Sequence, residues 1–363
     1  MSSAQEFEKA LDKSDTAVVS FDTVHHSPIQ RVQHFLHGNP AMVPLIVLML
    51  SVAAFGIVLG GKFFSAFTLT LILQQVAIVG IVGAAQTLVI LTAGIDLSVG
   101  AIMVLSSVVM GQLAFHGFIL KGYTILPPLP VPIAIVFGFA TGALCGWING
   151  VLIARMKLPP FIVTLGTWQI ILATNFLYSA NETIRSQDIE AQAPLLQLFG
   201  TSFKLGSAVF TLGVGVMLLL VIILWYVLNH TAWGRHVYAV GDDPEAAELS
   251  GVPVSRMLVT IYTISGLICA LAGWVLIGRL GSVSPTSGQI ANIESVTAVV
   301  IGGISLFGGR GSILGMIFGA LIVGVFSLGL RLIGTDPQWT FFLIGVLIIA
   351  AVAIDQWIRK ISG

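Results

Sequence analysis

The sequence predicts an all-α integral membrane protein, a polytopic bundle of about ten transmembrane helices. Three observations carry that prediction. Charged residues make up only 9% of the 363-residue chain, against roughly 25% in a soluble domain. Mean hydropathy is +1.00. Uncharged stretches of about 20 residues, enough to cross the hydrocarbon of a bilayer, recur along almost the whole length. No soluble fold could bury so much apolar surface and still cover itself, so lipid must be the missing solvent.

Residues 1–40 form a polar tail containing Glu6, Glu8, Asp12, Asp15 and Asp22. They lack the basic, apolar and small-residue order of a secretory signal and read as a cytoplasmic segment. Near its end, Ile29, Val32, Phe35 and Leu36 fall on one helical face, which fits a short helix lying at the membrane surface. His25, His26, His34 and His37 lack Cys or carboxylate partners at ligand spacing and read as part of a solvated tail. Residues 41–363 form the transmembrane domain. Spans are expected near 41–60, 70–92, 98–118, 131–154, 160–180, 207–228, 255–278, 291–309, 311–331 and 338–356. The uncharged part of the eighth begins only after Glu294, so this one could be a shorter or broken helix.

With ten crossings and the N-terminus inside, Lys and Arg divide 10 inside to 6 outside, which favours both termini on the cytoplasmic side. Asn181–Thr201 is then a long polar loop outside, and 230–256 a long polar loop inside. Each is a natural docking surface for a partner. Glycine recurs every fourth residue in the fourth span (Gly138, Gly142, Gly146, Gly150) and again in the ninth (Gly311, Gly315, Gly319). Such rows let helices approach closely. They suggest that spans 2–5 and 7–10 are related units entering from opposite faces, an arrangement that recurs in transporters. Abundant glycine in membrane helices is the alternative explanation.

Several chemistries are excluded. Lys+Arg and Asp+Glu number 16 each, so no charge excess points to nucleic acid. Cys145 and Cys269 sit within apolar runs, as small buried side chains rather than a disulfide. The stretch Gly56–Phe63 imitates a phosphate loop, but Phe63 stands where the Mg²⁺-binding hydroxyl belongs and the context is the end of an apolar span. No nucleophile elbow, His-Glu-x-x-His pair or Cys/His cluster appears. The chain is expected to be no enzyme and to bind no metal or cofactor.

The inside loop is the most informative stretch: Gly241-Asp-Asp-Pro-Glu-Ala-Ala-Glu-Leu-Ser-Gly251. Asp242 or Asp243 would cap a two-turn helix, Pro244 would occupy its first turn and Gly251 would end it. Glu245 would lie at the positive end of the helix dipole. A capped polar helix between two spans fits a socket on a partner, although many such helices are mere connections.

Glu245-Ala246-Ala247, followed by Gly251, resembles the coupling motif of ABC importer permeases. Other stretches resemble the monosaccharide branch of that family, the ribose/xylose/fructose-type permeases: Thr92-Ala-Gly-Ile-Asp-Leu-Ser-Val-Gly100, Asn149-Gly150, Leu158-Pro-Pro-Phe-Ile-Val-Thr-Leu-Gly-Thr167 and Gly309-Arg-Gly311. The likeness runs in consistent order from about residue 41 to the end, and its overall look is nearest to rhizobial-type fructose permeases. Ala93 and Asp242 replace usual glycines, and Leu328 and Arg331 stand where asparagines are frequent.

The resemblance implies a permease subunit that imports a monosaccharide such as fructose or a ribose-like sugar, with nucleosides or branched-chain amino acids as the alternative cargo. It implies a second copy of the chain, a separate ABC ATPase that binds ATP and Mg²⁺, and a periplasmic sugar-binding protein, in a bacterial inner membrane. Asp243, Pro244, Glu245, Ala246, Ala247, Glu248 and Gly251 would engage the ATPase. Polar residues within spans are candidates for the sugar path: Gln86, Asp96, Asn149, Thr164, Thr167, Asn175, Glu294 and Thr297. Each could instead hold helices together, and Asp96 could cap a helix opening at Leu97. A secondary transporter would need a buried titratable relay, and carboxylates near the apolar regions are limited to Asp96, Glu294, Asp336 and Asp355.

Overall fold

Apolar runs bounded by turn-forming residues become helices throughout the computed structural model, which describes residues 41–120, 123–205, 208–288 and 290–359. The surface helix expected at 28–36 lies outside those residues. The long helices are α1 (Met42–Leu59), α2 (Ala66–Leu91), α3 (Val99–Phe115), α4 (Val131–Ala154) and α5 (Pro160–Ser179), followed by α7 (Leu212–His230), α10 (Val254–Leu280), α12 (Ile313–Ile333) and α13 (Pro337–Arg359). The short ones are α6 (Ser186–Gln192), α8 (Ala232–Asp242), α9 (Pro244–Leu249) and α11 (Ala291–Ile301). Two small antiparallel hairpins, β1–β2 (Phe118–Leu120, Tyr123–Leu126) and β3–β4 (Ser202–Leu205, Ala208–Thr211), precede α4 and α7.

Among the described residues, seven helices are long and apolar enough to cross a membrane, and α3, α11 and α13 carry shorter apolar segments. Large apolar side chains such as Ile57, Leu177 and Ile349 face outward, where hydrocarbon is the solvent that suits them. The expected eighth span is cut short. At about 1.5 Å per residue, the 11-residue α11 covers roughly half of a 30 Å hydrocarbon layer. It stops because Gly302 lies against α12 at Gly315 and Met316, and Gly303 turns the chain with φ +75°. The sixth span starts at Leu212 rather than 207, because 208–211 is spent on a strand.

The glycine rows are close-approach seams. Gly142 and Gly146 of α4 press against the backbone of Gly266 and Tyr262 in α10, and Gly150 against Val259. Gly315 and Gly319 of α12 press likewise on Gly302 and Ala298 of α11. The helix neighbours follow one pattern twice. Helix α4 packs on α3 and α10, and α12 packs on α11 and α2. Helix α3 meets α10 and α5, and α11 meets α2 and α13. Exchanging α2–α5 for α10–α13 preserves these contacts, as a repeat of spans 2–5 in 7–10 requires. The shortest members of the two sets, α3 and α11, meet at their N-termini, where Gly100 abuts Asn292 and Asn292 Nδ2 lies 3.4 Å from the carbonyl of Leu97.

Candidate functional site

Three regions hold most of the residues singled out by sequence. The first is the break between α2 and α3, residues 92–98. A chain leaving one helix and entering another at this depth exposes backbone groups that protein must satisfy. Here Gln86 brackets the backbone of Asp96, its Nε2 donating to the carbonyl (3.0 Å) and its Oε1 accepting from the N–H (3.2 Å). Thr164 Oγ1 donates to the carbonyl of Ile95 at 2.9 Å. Asn149 Nδ2 donates to Ser98 Oγ at 2.9 Å. Asp96, Gln86, Asn149 and Thr164 are all fully or almost fully buried.

Asp96 does not cap a helix opening at Leu97. Helix α3 begins two residues later, with Ser98 at its cap position. Asp96 Oδ1 accepts from the Ser98 N–H (2.8 Å) and Oγ–H (2.6 Å), so it shapes the turn in front of the helix. Ser98 and Tyr262 complete this cluster and escaped sequence reasoning. The Tyr262 ring is 1% exposed, and its hydroxyl fills the space beside Gly94. Asn175 serves a different break: its Nδ2 donates to the carbonyl of Pro285 at 2.9 Å in the loop between α10 and α11. Thr167 is half-buried one turn beyond Thr164 and back-bonds to the Thr164 carbonyl at 3.3 Å.

The second region is the loop 230–256, which folds into two helices instead of one. Thr231 caps α8 by accepting from the Gly234 N–H at 3.2 Å. Trp233, Val237 and Val240, spaced to share one helical face, signal this helix in the sequence. Asp243, not Asp242, caps α9, its Oδ1 accepting from the N–H groups of Glu245 (2.9 Å) and Ala246 (3.0 Å). Pro244 opens the helix. Gly251, at φ +87°, ends it, with Val252 N–H bonded to the Ala247 carbonyl at 3.0 Å, a left-handed stop. Ala247 is the one buried residue of α9. Glu245, Glu248 and Leu249 are exposed, Leu249 at 91%.

Helix α8 is joined to the first region. Gly241 lies against the carbonyl of Leu91, the last residue of α2, and against Gly309 of the loop after α11. Tyr238 OH donates to the carbonyl of Gly311 at 3.0 Å, and burial raises the pKa of its phenol, which keeps it a donor. The capped helix α9 therefore stands one residue from a backbone knot that reaches Ala93 and the Asp96 turn.

The third region lies at the opposite end of α2. Glu294 and Thr297 are not part of the Asp96 cluster; they line a cavity of about 380 Å³ bounded by α2, α11, α12 and α13.

The sequence model of the family described as "Branched-chain amino acid transport system / permease component" matches residues 68–352. The chain belongs to that permease family. It is 73% identical to the fructose import permease protein FrcC of Rhizobium meliloti, over 99% of this chain and 97% of that one. It is 38% identical to a ribose import permease of Bacillus subtilis (90% of this chain, 96% of that one). It is 33% identical to a galactose/methyl galactoside import permease of Escherichia coli (86% and 93%). No solved structure matches. This permease is a transport subunit and not an enzyme, as expected from its sequence.

Proposed function

We propose that this permease is the membrane-spanning subunit of an ATP-driven importer of monosaccharides, and that its cargo is fructose. The observation that carries the reading is identity of 73% along essentially the whole chain with a fructose import permease. Two copies enclose the path in the inner membrane, with both termini in the cytoplasm. ATP and Mg²⁺ are bound by a partner ATPase, and sugar arrives on a periplasmic binding protein.

Helix α9 supplies the mechanics. Both its ends are fixed, by the Asp243 side chain and by Gly251, and its outer surface is unencumbered. A rigid projection of this kind transmits displacement, whereas a frayed loop absorbs it. Movement of the ATPase pair would shift α9, then α8, then the Leu91–Gly309 contact at the end of α2. The path would thereby alternate between outward and inward openings, and the binding protein would set affinity.

The test is uptake of labelled fructose into proteoliposomes holding the permease, its ATPase and the binding protein. Uptake should require internal ATP and the ATPase and should persist when proton gradients are collapsed. Uptake of leucine instead would assign the cargo named by the family description. Uptake without ATP would point to a channel or a secondary carrier. A crosslinker at exposed Asp188 should capture the binding protein and one at exposed Glu248 the ATPase; the reverse would invert the topology.

A further inference from the structure

The cavity at the far end from α9 is built from side chains that no spacing in the sequence brings together. Gln75 of α2, Glu294 and Thr297 of α11, Ser327 and Arg331 of α12 and Phe341 of α13 line it. Its volume of about 380 Å³ falls within the roughly 300–1,000 Å³ of small-molecule sites. Arg279 of α10 anchors the arrangement from one side, its guanidinium donating to Gln75 Oε1 at 2.6 Å. That bond fixes the amide so that Nε2 faces Glu294 Oε1 at 3.5 Å. A contact so long is weak, so the amide donor and the carboxylate both keep capacity for another partner.

Ionisable groups among membrane helices are costly and mark pathways. The set assembled here is selective in its chemistry. A carboxylate accepts several hydroxyl protons, a guanidinium donates through a fixed fork, and an amide does both. Ser327 adds a hydroxyl, and Thr297, whose Oγ1 donates to the Ile293 carbonyl at 2.7 Å, adds an acceptor. Phe341, 61% exposed, offers a ring face to C–H groups. A neutral polyol has hydroxyls that donate and accept together with apolar C–H faces, and it matches this lining. A branched-chain amino acid would pair its ammonium and carboxylate with Glu294 and Arg331 but would set an apolar side chain against Gln75 and Ser327, and unpaired polar groups are penalised in binding sites.

We propose that this cavity is a monosaccharide subsite within the permease itself, with Glu294 as principal acceptor and Gln75 and Arg331 reading the hydroxyl pattern. The inference rests on the sugar-importer reading and locates where that cargo is held. It also separates the residues expected along the path: Glu294 and Thr297 touch sugar, while Gln86, Asp96, Asn149 and Thr164 hold the turn between α2 and α3.

The experiment has two arms in the reconstituted complex. In the first, Glu294→Gln and Arg331→Asn are compared with the parent for fructose uptake at saturating loaded binding protein. Losing one charged hydrogen bond should slow uptake by roughly tenfold, with the abundance of permease in the membrane retained. In the second, Ser327→Cys is labelled with a membrane-impermeant maleimide, against the background set by Cys145 and Cys269. Millimolar fructose should slow the labelling, and leucine should not. Normal uptake by both variants, or labelling indifferent to fructose even where uptake falls, overturns the subsite and leaves the importer reading standing. If the parent complex moves no monosaccharide at all, the importer reading itself fails.

Discussion

The N–H of Gly309 donates to the carbonyl oxygen of Leu91 across 3.0 Å, so the loop after α11 is tied to the last residue of α2. Gly241 packs against that same carbonyl, and Gly308 packs against Gly241 and Ala93. The contact is backbone on backbone, and a methyl group has nowhere to go. Gly241→Ala should force the knot apart at about 1–3 kcal/mol. Uptake per permease should fall while ATP hydrolysis by the complex continues. Coupled transport at the parental rate would show that force does not pass this way.

Ala93 stands at φ +58°, left-handed backbone that side chains resist by about 1–2 kcal/mol. Ala93→Gly should therefore raise the melting temperature of the purified permease in detergent, and Ala93→Val should lower it. Thermal unfolding followed by fluorescence checks both signs.

Gly251 is a purer case of backbone geometry. A side chain there would meet no atom within 4 Å, so only its φ of +87° opposes substitution. Gly251→Val should cost about 1–2 kcal/mol locally and loosen the end of α9. Membrane abundance should stay normal. Stimulation of ATP hydrolysis by the sugar-loaded binding protein should be lost. Gly215→Val in α7, also free of close neighbours, is the control and should retain stimulation.

Asn149→Ala removes the donor to Ser98 Oγ and should destabilise the 92–98 turn by about 1–3 kcal/mol. If Asn149 only holds this turn through Ser98, less permease reaches the membrane, yet uptake normalised to abundance is unchanged. A normalised loss accompanied by altered competition among fructose, ribose and galactose would return Asn149 to the sugar path.

Much of this architecture was legible in one sequence because its signals are local. Hydrophobic length locates most of the helices within a few residues. Asp243, Pro244 and Gly251 spell out α9, because caps act within one turn. The unusual alanine at 93 was visible as well, although its left-handed backbone was not. What remained hidden is long-range. The contacts Gln75–Glu294 and Gln75–Arg279 join residues 219 and 204 positions apart, and nothing in either neighbourhood announces the other. The eighth span was legible as short or broken, but its end was not, because apolar character continues past Ile301 while the turn at Gly303 depends on how closely α12 approaches. Asp96 was expected to cap a helix because Asp before an apolar run usually does. The fold places a serine between them and uses the carboxylate to set the turn.

The seam between α4 and α10 also constrains the order of biosynthesis. Gly146 and Tyr262 meet backbone to backbone yet stand 116 positions apart. At roughly 5–20 residues per second, the ribosome needs on the order of ten seconds to make that intervening chain. Throughout that interval α4 sits in the bilayer with its glycine face against lipid or an insertion factor. The first half of the permease therefore cannot finish folding as it emerges. It must wait for its seat, and a chain truncated after α5 would be left as a quality-control substrate with a bare glycine face.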